Sequence, residues 1–321
     1  MFISFAYLLA TADRAPLHLE KNCPCIHFQA DVSSFILGVS QSTSEGPYVY
    51  RVFIPYFVTG IHYIFPFISL VDIDFILKIF LLCFCQITFF LYLRNFYGAI
   101  ISLAGVFILN ILLSFTFSSI LGPSIGENAD LLNLLIFTLS LNAIYKNSFF
   151  LLLLTLFIGT FNRETTLFII PILFLNDYNK KLGYTRTILA CMIVAIPYLG
   201  LRFLIQSPSP NWFTFEGLSK NIPFINSEFT KNAIIANIHT LSTLGFLIIL
   251  SIMNFKKHRK FFRTASFMVP PFILLHYLVG SVIETRLWIP LFAILIPLSL
   301  NSLKILFSEN DSIISSTELR V

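Results

Sequence analysis

The sequence predicts an all-α fold, a polytopic transmembrane helical bundle of about ten helices, and three observations carry that expectation. Of 321 residues, 56% are hydrophobic and only 12% charged, whereas a soluble domain carries about 25% charged residues. So little polar surface cannot cover a globule in water, and the mean hydropathy of +0.83 agrees. Apolar runs recur at about 52–70, 75–93, 98–120, 130–145, 149–161, 165–176, 187–206, 233–253, 265–283 and 287–306. The 37 phenylalanines suit helices that face lipid. Three regions follow: an N-terminal segment with the first external loop (1–50), a transmembrane domain (51–307) and a cytoplasmic polar tail (308–321). No internal repeat, low-complexity tract or second domain stands out.

The elements follow in order. "MFISFAYLLATADRAP" has too few apolar residues for a span, which needs about 20, and lacks the basic start of a signal peptide. It reads as a clipped first helix or an interfacial one. The run at 52–70 contains Pro55, Gly60, His62 and Pro66, which suit a broken, re-entrant element better than a lipid-facing helix. The run from 149 to 176 is interrupted by "NRET". As one helix its about 28 residues would extend about 42 Å at 1.5 Å per residue, against a hydrocarbon core of about 30 Å. The expectation is therefore a short helical hairpin at 149–176 with Arg163 and Glu164 at its tip. The segment 207–232 is rich in Pro, Trp and Phe and reads as an interfacial loop.

Charge gives sidedness. The net charge of +5 reports membrane orientation through the positive-inside rule, not a nucleic-acid partner. Placing "KKHRKFFR" in the cytoplasm and counting spans outward also puts "NKKLGYTR", Lys146 and Arg94 there. The opposite face then collects Asp31, Arg51, Glu127, Asp130, Arg163, Glu164, Glu284 and Arg286. The five cysteines lack the four-ligand spacing of a zinc site; Cys83, Cys85 and Cys191 read as small hydrophobes. His62, His239 and His276 stand singly in apolar runs and read as packed or hydrogen-bonded. No metal motif, phosphate loop or dinucleotide fingerprint is present, so no cofactor is assigned.

Charges against apolar runs usually face a cavity or each other, so the external set is the candidate site. Arg163 and Glu164 fit either a solvated turn or a phosphate-binding arginine with a carboxylate that orients it; the planar guanidinium donates two parallel bonds to a phosphate. Glu284 and Arg286 fit a tight turn or a second anion site. Asp31 fits a helix N-cap or a general base that takes a proton from an acceptor hydroxyl.

Short motifs in this order resemble the GT-C superfamily, polytopic glycosyltransferases that use lipid-phosphate-linked sugars on the outer membrane face. The likeness is to small bacterial members related to the protein mannosyltransferases and lipid A sugar transferases. They are Asp31 in "ADVSSFILGV", Arg51 and Pro55 in "PYVYRVFIP", the turn "LYLRNFYG", Asp130 in "ADLL", "FNRETTLFIIP", and Glu284 with Arg286 in "ETRLWIP". The resemblance implies a sugar transfer from a polyprenyl-phosphate donor to a glycan, lipid or protein acceptor. Asp31 would act as the catalytic base, and Arg51, Arg163 or Arg286 would bind the departing phosphate, with Asp130, Glu164 and Glu284 completing the site. It also implies a multi-pass protein of the inner or plasma membrane with its catalytic face extracytoplasmic. Two rivals use similar chemistry: a surface polysaccharide polymerase or ligase, and a transporter or flippase of a lipid-linked or anionic substrate.

Overall fold

Long apolar runs can satisfy their backbone polar groups only internally, which favours helices. The computed structural model describes residues 25–41, 50–117, 127–205, 221–222, 230–279 and 285–318, and among these every regular element is helical. The helices are α1 (Cys25–Ser40), α2 (Phe53–Ile64), α3 (Leu70–Arg94), α4 (Ala99–Phe117), α5 (Glu127–Tyr145), α6 (Phe149–Asn162), α7 (Ile169–Asp177), α8 (Gly183–Leu204), α9 (Thr230–Thr240), α10 (Phe246–Ile252), α11 (Lys260–Ser266), α12 (Val269–Val279) and α13 (Ile289–Glu318). A short 3-10 turn, Glu164–Phe168, joins α6 to α7.

Five stretches are long and apolar enough to cross a bilayer: Leu70–Arg94, Ala99–Thr116, Gly183–Leu204, Lys260–Val279 and Arg286–Phe307. By that length and composition the chain is a membrane protein. The expected count of about ten is narrower here, because several apolar runs fold into helices too short to cross. α2 is one of them. Its 12 residues reach about 18 Å at 1.5 Å per residue, and Phe65–Ser69 turns the chain straight into α3. This segment is thus a short helix that runs unbroken through Pro55, Gly60 and His62, with only Pro66 in the turn that follows. At the other end of the sequence, the polar residues after Phe307 continue α13 to Glu318.

Local chemistry sets the boundaries. Ser69 caps α3 by accepting from the Asp72 amide at 3.1 Å, with Asp72 in the first turn and Arg94 in the last, the arrangement the helix dipole favours. Asn147 and Asn254 turn the chain at positive φ, 60° and 57°; asparagine tolerates that region better than most residues. Outward faces are apolar: Ile188, Met192, Ile196, Leu199 and Phe203 line one exposed stripe of α8 at helical spacing.

The centre is α5, buried along almost its whole length and packed against α3, α6 and α13. Three of its polar side chains meet neighbours. Asn128 Nδ2 donates to the Asp74 carbonyl at 2.8 Å, Asn133 Nδ2 to Thr165 Oγ1 at 2.8 Å, and Ser140 pairs with Thr155 at 2.9 Å.

The hairpin at 149–176 is present. α6 starts beside the start of α8, where Arg186 donates to Asn147 Oδ1 and its guanidinium lies over the Phe149 ring at 4.8 Å. The tip reaches the other end of α8, where Glu164 meets Arg202. α7 then returns to its starting level, where buried Asp177 pairs with Arg186 at 2.7 Å. The basic loops share this end. Asn95 donates to Asn142 at 2.9 Å, Phe96 packs on Phe261 and Phe262, and Arg259 lies over the Phe96 ring at 5.6 Å.

A polar seam closes α10 on α13 near this end. His258 Nε2 donates to the Ser251 carbonyl at 3.0 Å, Asn301 Nδ2 donates to His258 Nδ1 at 2.8 Å, and Ser302 donates to the Met253 carbonyl at 2.7 Å. Burial, and then Arg263, hold the His258 pKa below its ordinary value, against the two carbonyls of Ser251 and Met253 that favour the charged ring. Folding therefore binds fewer protons than unfolding here, and stability is lost as pH falls through the ordinary histidine range near 6.5. In thermal unfolding between pH 8 and pH 5, His258→Gln is expected to lose less Tm on the acid side than the wild type; an equal loss would assign the acid sensitivity elsewhere.

Gly159 gives a second expectation. A Cβ there would stand 2.7 Å from Thr166 and 3.0 Å from Ile136 Cγ2, so the hairpin closes because this residue has no side chain. Overpacking of this kind costs about 1–3 kcal/mol, while alanine returns about 1 kcal/mol of helix propensity. Gly159→Val should therefore lower Tm clearly more than Gly159→Ala, measured in the same detergent.

Candidate anion site

Four segments far apart in sequence deliver arginines to the end opposite the basic loops. Arg51 precedes α2, Arg163 is the extended residue between α6 and the 3-10 turn (φ −156°, ψ 146°), Arg202 lies in the last turn of α8, and Arg286 starts the final element. Two carboxylates sit among them. Asp130, in the first turn of α5, binds Arg163 at 2.7 Å and Arg286 at 3.7 Å. Glu164 lies 3.4 Å from Arg202 and 3.9 Å from Arg51. Among the described residues, four arginines thus gather around these two carboxylates.

Local structure explains the convergence. Arg163 breaks the helix because its backbone is extended, which turns Glu164 and the 3-10 turn over the top of α5. Asn162 Nδ2 donates to the Ala129 carbonyl at 2.8 Å, and Asn133 holds Thr165. These two amides pin the hairpin tip against the first turn of α5, where Asp130 sits. The Asp130–Arg163 pair is almost fully buried, at 1% and 3% exposure. Arg202 is held by aromatic faces, with its guanidinium carbon 3.6 Å from the Tyr198 ring centroid and 4.6 Å from that of Tyr50; such stacking suits arginine. Beside this group, Lys78 of α3 forms a buried ion pair with Glu127 of α5, and Asn128 binds Asp74.

Of the residues expected from the sequence, the structure brings together Arg51, Asp130, Arg163, Glu164 and Arg286. Glu284 lies outside the described residues. Asp31 falls inside α1, so the N-cap reading does not hold: a cap must precede the helix. Its side chain lies outside what the structure describes, as do Cys23 and most of the 207–232 loop. α1 packs on α2, which Arg51 precedes, and on α3, which carries Lys78.

Arg202, Tyr50, Tyr198 and Lys78 were missed. Arg202 had a usable signal, since the same span count that placed Arg163 outside puts the C-terminal end of 187–206 outside too. Lys78 had none, because a lysine in an apolar run reveals no partner 49 residues away. Two of the three histidines read as packed or hydrogen-bonded agree: His62 Nδ1 bonds the Ile68 carbonyl at 2.8 Å, and His276 stacks on Phe272 at 4.3 Å; His239 Nδ1 is buried without a hydrogen-bond partner among the described residues. Among the described residues no group of His, Cys, Asp and Glu is placed to hold a metal ion.

The ion pair carries a stability expectation. Removing one partner of a buried pair costs about 3–5 kcal/mol, because the other charge stays buried. Asp130→Asn should therefore lower thermal stability more than Arg51→Gln, whose carboxylate neighbour is partly exposed and lies farther away. Equal, small effects in thermal unfolding would remove Asp130–Arg163 as the anchor.

No protein-family model matches this chain, and no curated protein and no solved structure matches it.

Proposed function

We propose that the protein is a membrane glycosyltransferase that transfers a sugar from a polyprenyl-phosphate-linked donor to an acceptor on the extracytoplasmic face. The observation that carries the proposal is the convergence of Arg51, Arg163, Arg202 and Arg286 on two carboxylates. Guanidinium groups gathered in this way are suited to a phosphate, which takes paired hydrogen bonds from each. Its position also fits a lipid-borne donor, since the arginines lie at helix ends beside the lipid-facing stripe of α8.

The sidedness follows from charge. Arg94, Lys146, Lys180, Lys181, Arg186 and the basic run 256–263 occupy the opposite end, and loops of that composition stay in the cytoplasm. The site would then open outward. In the reaction, the acceptor hydroxyl attacks the anomeric carbon as the bond to the phosphate oxygen breaks. Negative charge grows on that oxygen, and positioned arginines stabilise the developing charge more than the ground state. Asp31 is the proposed base that takes the hydroxyl proton. A single displacement inverts the anomeric centre.

A transporter or flippase is disfavoured by the placement of the arginines at helix ends, because substrate sites in transporters lie near the bilayer midplane.

The test is transfer from a radiolabelled polyprenyl-phosphate sugar by the purified chain in lipid, with Arg202→Ala and Asp31→Asn beside the wild type. Loss of one preorganised charge-stabilising donor costs about 10²–10³-fold in turnover, and Arg202→Ala should fall in that range. Full turnover in both variants would overturn the proposal. Membrane-impermeant labelling of a single cysteine at position 51, in a chain otherwise free of cysteine, should succeed from outside the cell.

A further inference from the structure

The two carboxylates of the site are held very differently. Asp130 is 1% exposed and makes a 2.7 Å contact with Arg163. Glu164 is 29% exposed, and its contacts with Arg202 and Arg51 are long, 3.4 and 3.9 Å. The arginines it faces are the better-covered partners, at 9% and 15%. Arg202 also keeps its place by other means, clamped between Tyr198 and Tyr50. The carboxylate is thus the more exposed, loosely held member of a group in which Arg202 is also held by aromatic rings. It lies across two guanidinium groups, where a doubly charged anion would fit.

We propose that Glu164 is a resident counter-ion which a phosphate displaces, so that Arg51 and Arg202 exchange one carboxylate for the phosphate oxygens of the ligand. This rests on the phosphate-site reading above and deepens it by dividing the four arginines in two. Arg163 and Arg286 stay paired to Asp130 and anchor the hairpin tip. Arg51 and Arg202 are the pair that changes partner. Before binding, Glu164 screens two cations that would otherwise repel each other. After binding, its carboxylate swings toward solvent, which its exposure permits. The exchange makes and breaks only ion pairs and hydrogen bonds, so no covalent step or co-reactant is needed.

Glu164 then competes with the ligand, and removing its charge strengthens anion binding. That sign is opposite to the one expected if Glu164 held the ligand itself, or merely turned the chain.

The experiment is calorimetric titration of the full-length chain in nanodiscs with two probes, inorganic phosphate and geranyl phosphate. Glu164→Gln is expected to tighten binding about tenfold, which corresponds to about 1.4 kcal/mol, and Arg202→Gln and Arg51→Gln to weaken it by at least as much. Glu164→Ala serves as a second variant should the glutamine side chain still bridge the arginines. Asp72→Asn is the control for net charge, since Asp72 starts α3 near the same end and bonds Ser69. Tightening with both probes supports the exchange and shows that the phosphate group suffices. Tightening with geranyl phosphate alone supports it for a lipid headgroup. If the wild type binds and the arginine variants weaken binding, but Glu164→Gln and Glu164→Ala leave it unchanged or weaker, the exchange is overturned while the phosphate site stands. Equal tightening by Asp72→Asn overturns it too, as a general charge effect. If neither wild type nor variants bind either probe, the phosphate-site reading falls and takes the exchange with it.

Discussion

The buried pair between Asp130 and Arg163 is the constraint on which the rest of the site depends. An arginine taken out of water must meet a carboxylate or pay several kcal/mol, so Arg163 can be buried only where α5 presents Asp130. This fixes the tip of the α6–α7 hairpin over the first turn of α5. The amides of Asn162 and Asn133 then set its orientation. With the tip in place, Glu164 faces the last turn of α8 and the segment before α2, so Arg202 and Arg51 join the group. Arg286 reaches Asp130 from the 3-10 turn Thr285–Trp288 that leads into α13. A single buried carboxylate thus organises helices from distant parts of the chain.

The same helices carry opposite tasks at their two ends. At one end basic loops gather around Phe96, Phe261 and Asp177, with aromatic packing and ion pairs among short turns. At the other, carboxylates and arginines share a partly closed cluster. Short connections such as 146–148 make this division possible, because each tight turn returns the chain within one layer of helices. α5 runs between the two ends as a buried strut. Asn128, Asn133 and Ser140 are tolerable there because they meet hydrogen-bonding neighbours on α3, at the hairpin tip and on α6 in turn, as buried polar groups usually do.

Composition and spacing alone determined the all-helical class, the membrane setting, the break at Pro66, and the hairpin at 149–176. These were legible because each rests on local physics: hydropathy, the span length a bilayer demands, and the helix-breaking backbone of proline. The basic-loop count also separated the two ends correctly, since charge asymmetry belongs to loops and needs no contacts to be read. Five of the seven expected site residues meet for the same reason, as they sit at helix ends that the count assigned to one face.

What only the tertiary structure decided is who pairs with whom. The sequence coupled Arg163 to its neighbour Glu164, yet the fold sends them to different partners, Arg163 to Asp130 and Glu164 to Arg202 and Arg51. The extended backbone at Arg163 turns consecutive side chains in different directions, and no composition rule reports that. Arg202 looked like the end of an apolar span until Tyr50 and Tyr198 were seen to hold it. Lys78 and Glu127 were invisible as a pair because ion pairing between helices depends on rotation about each helix axis. Hydropathy sets which segments enter the membrane; the angle at which each presents its few charges is fixed only when the helices pack.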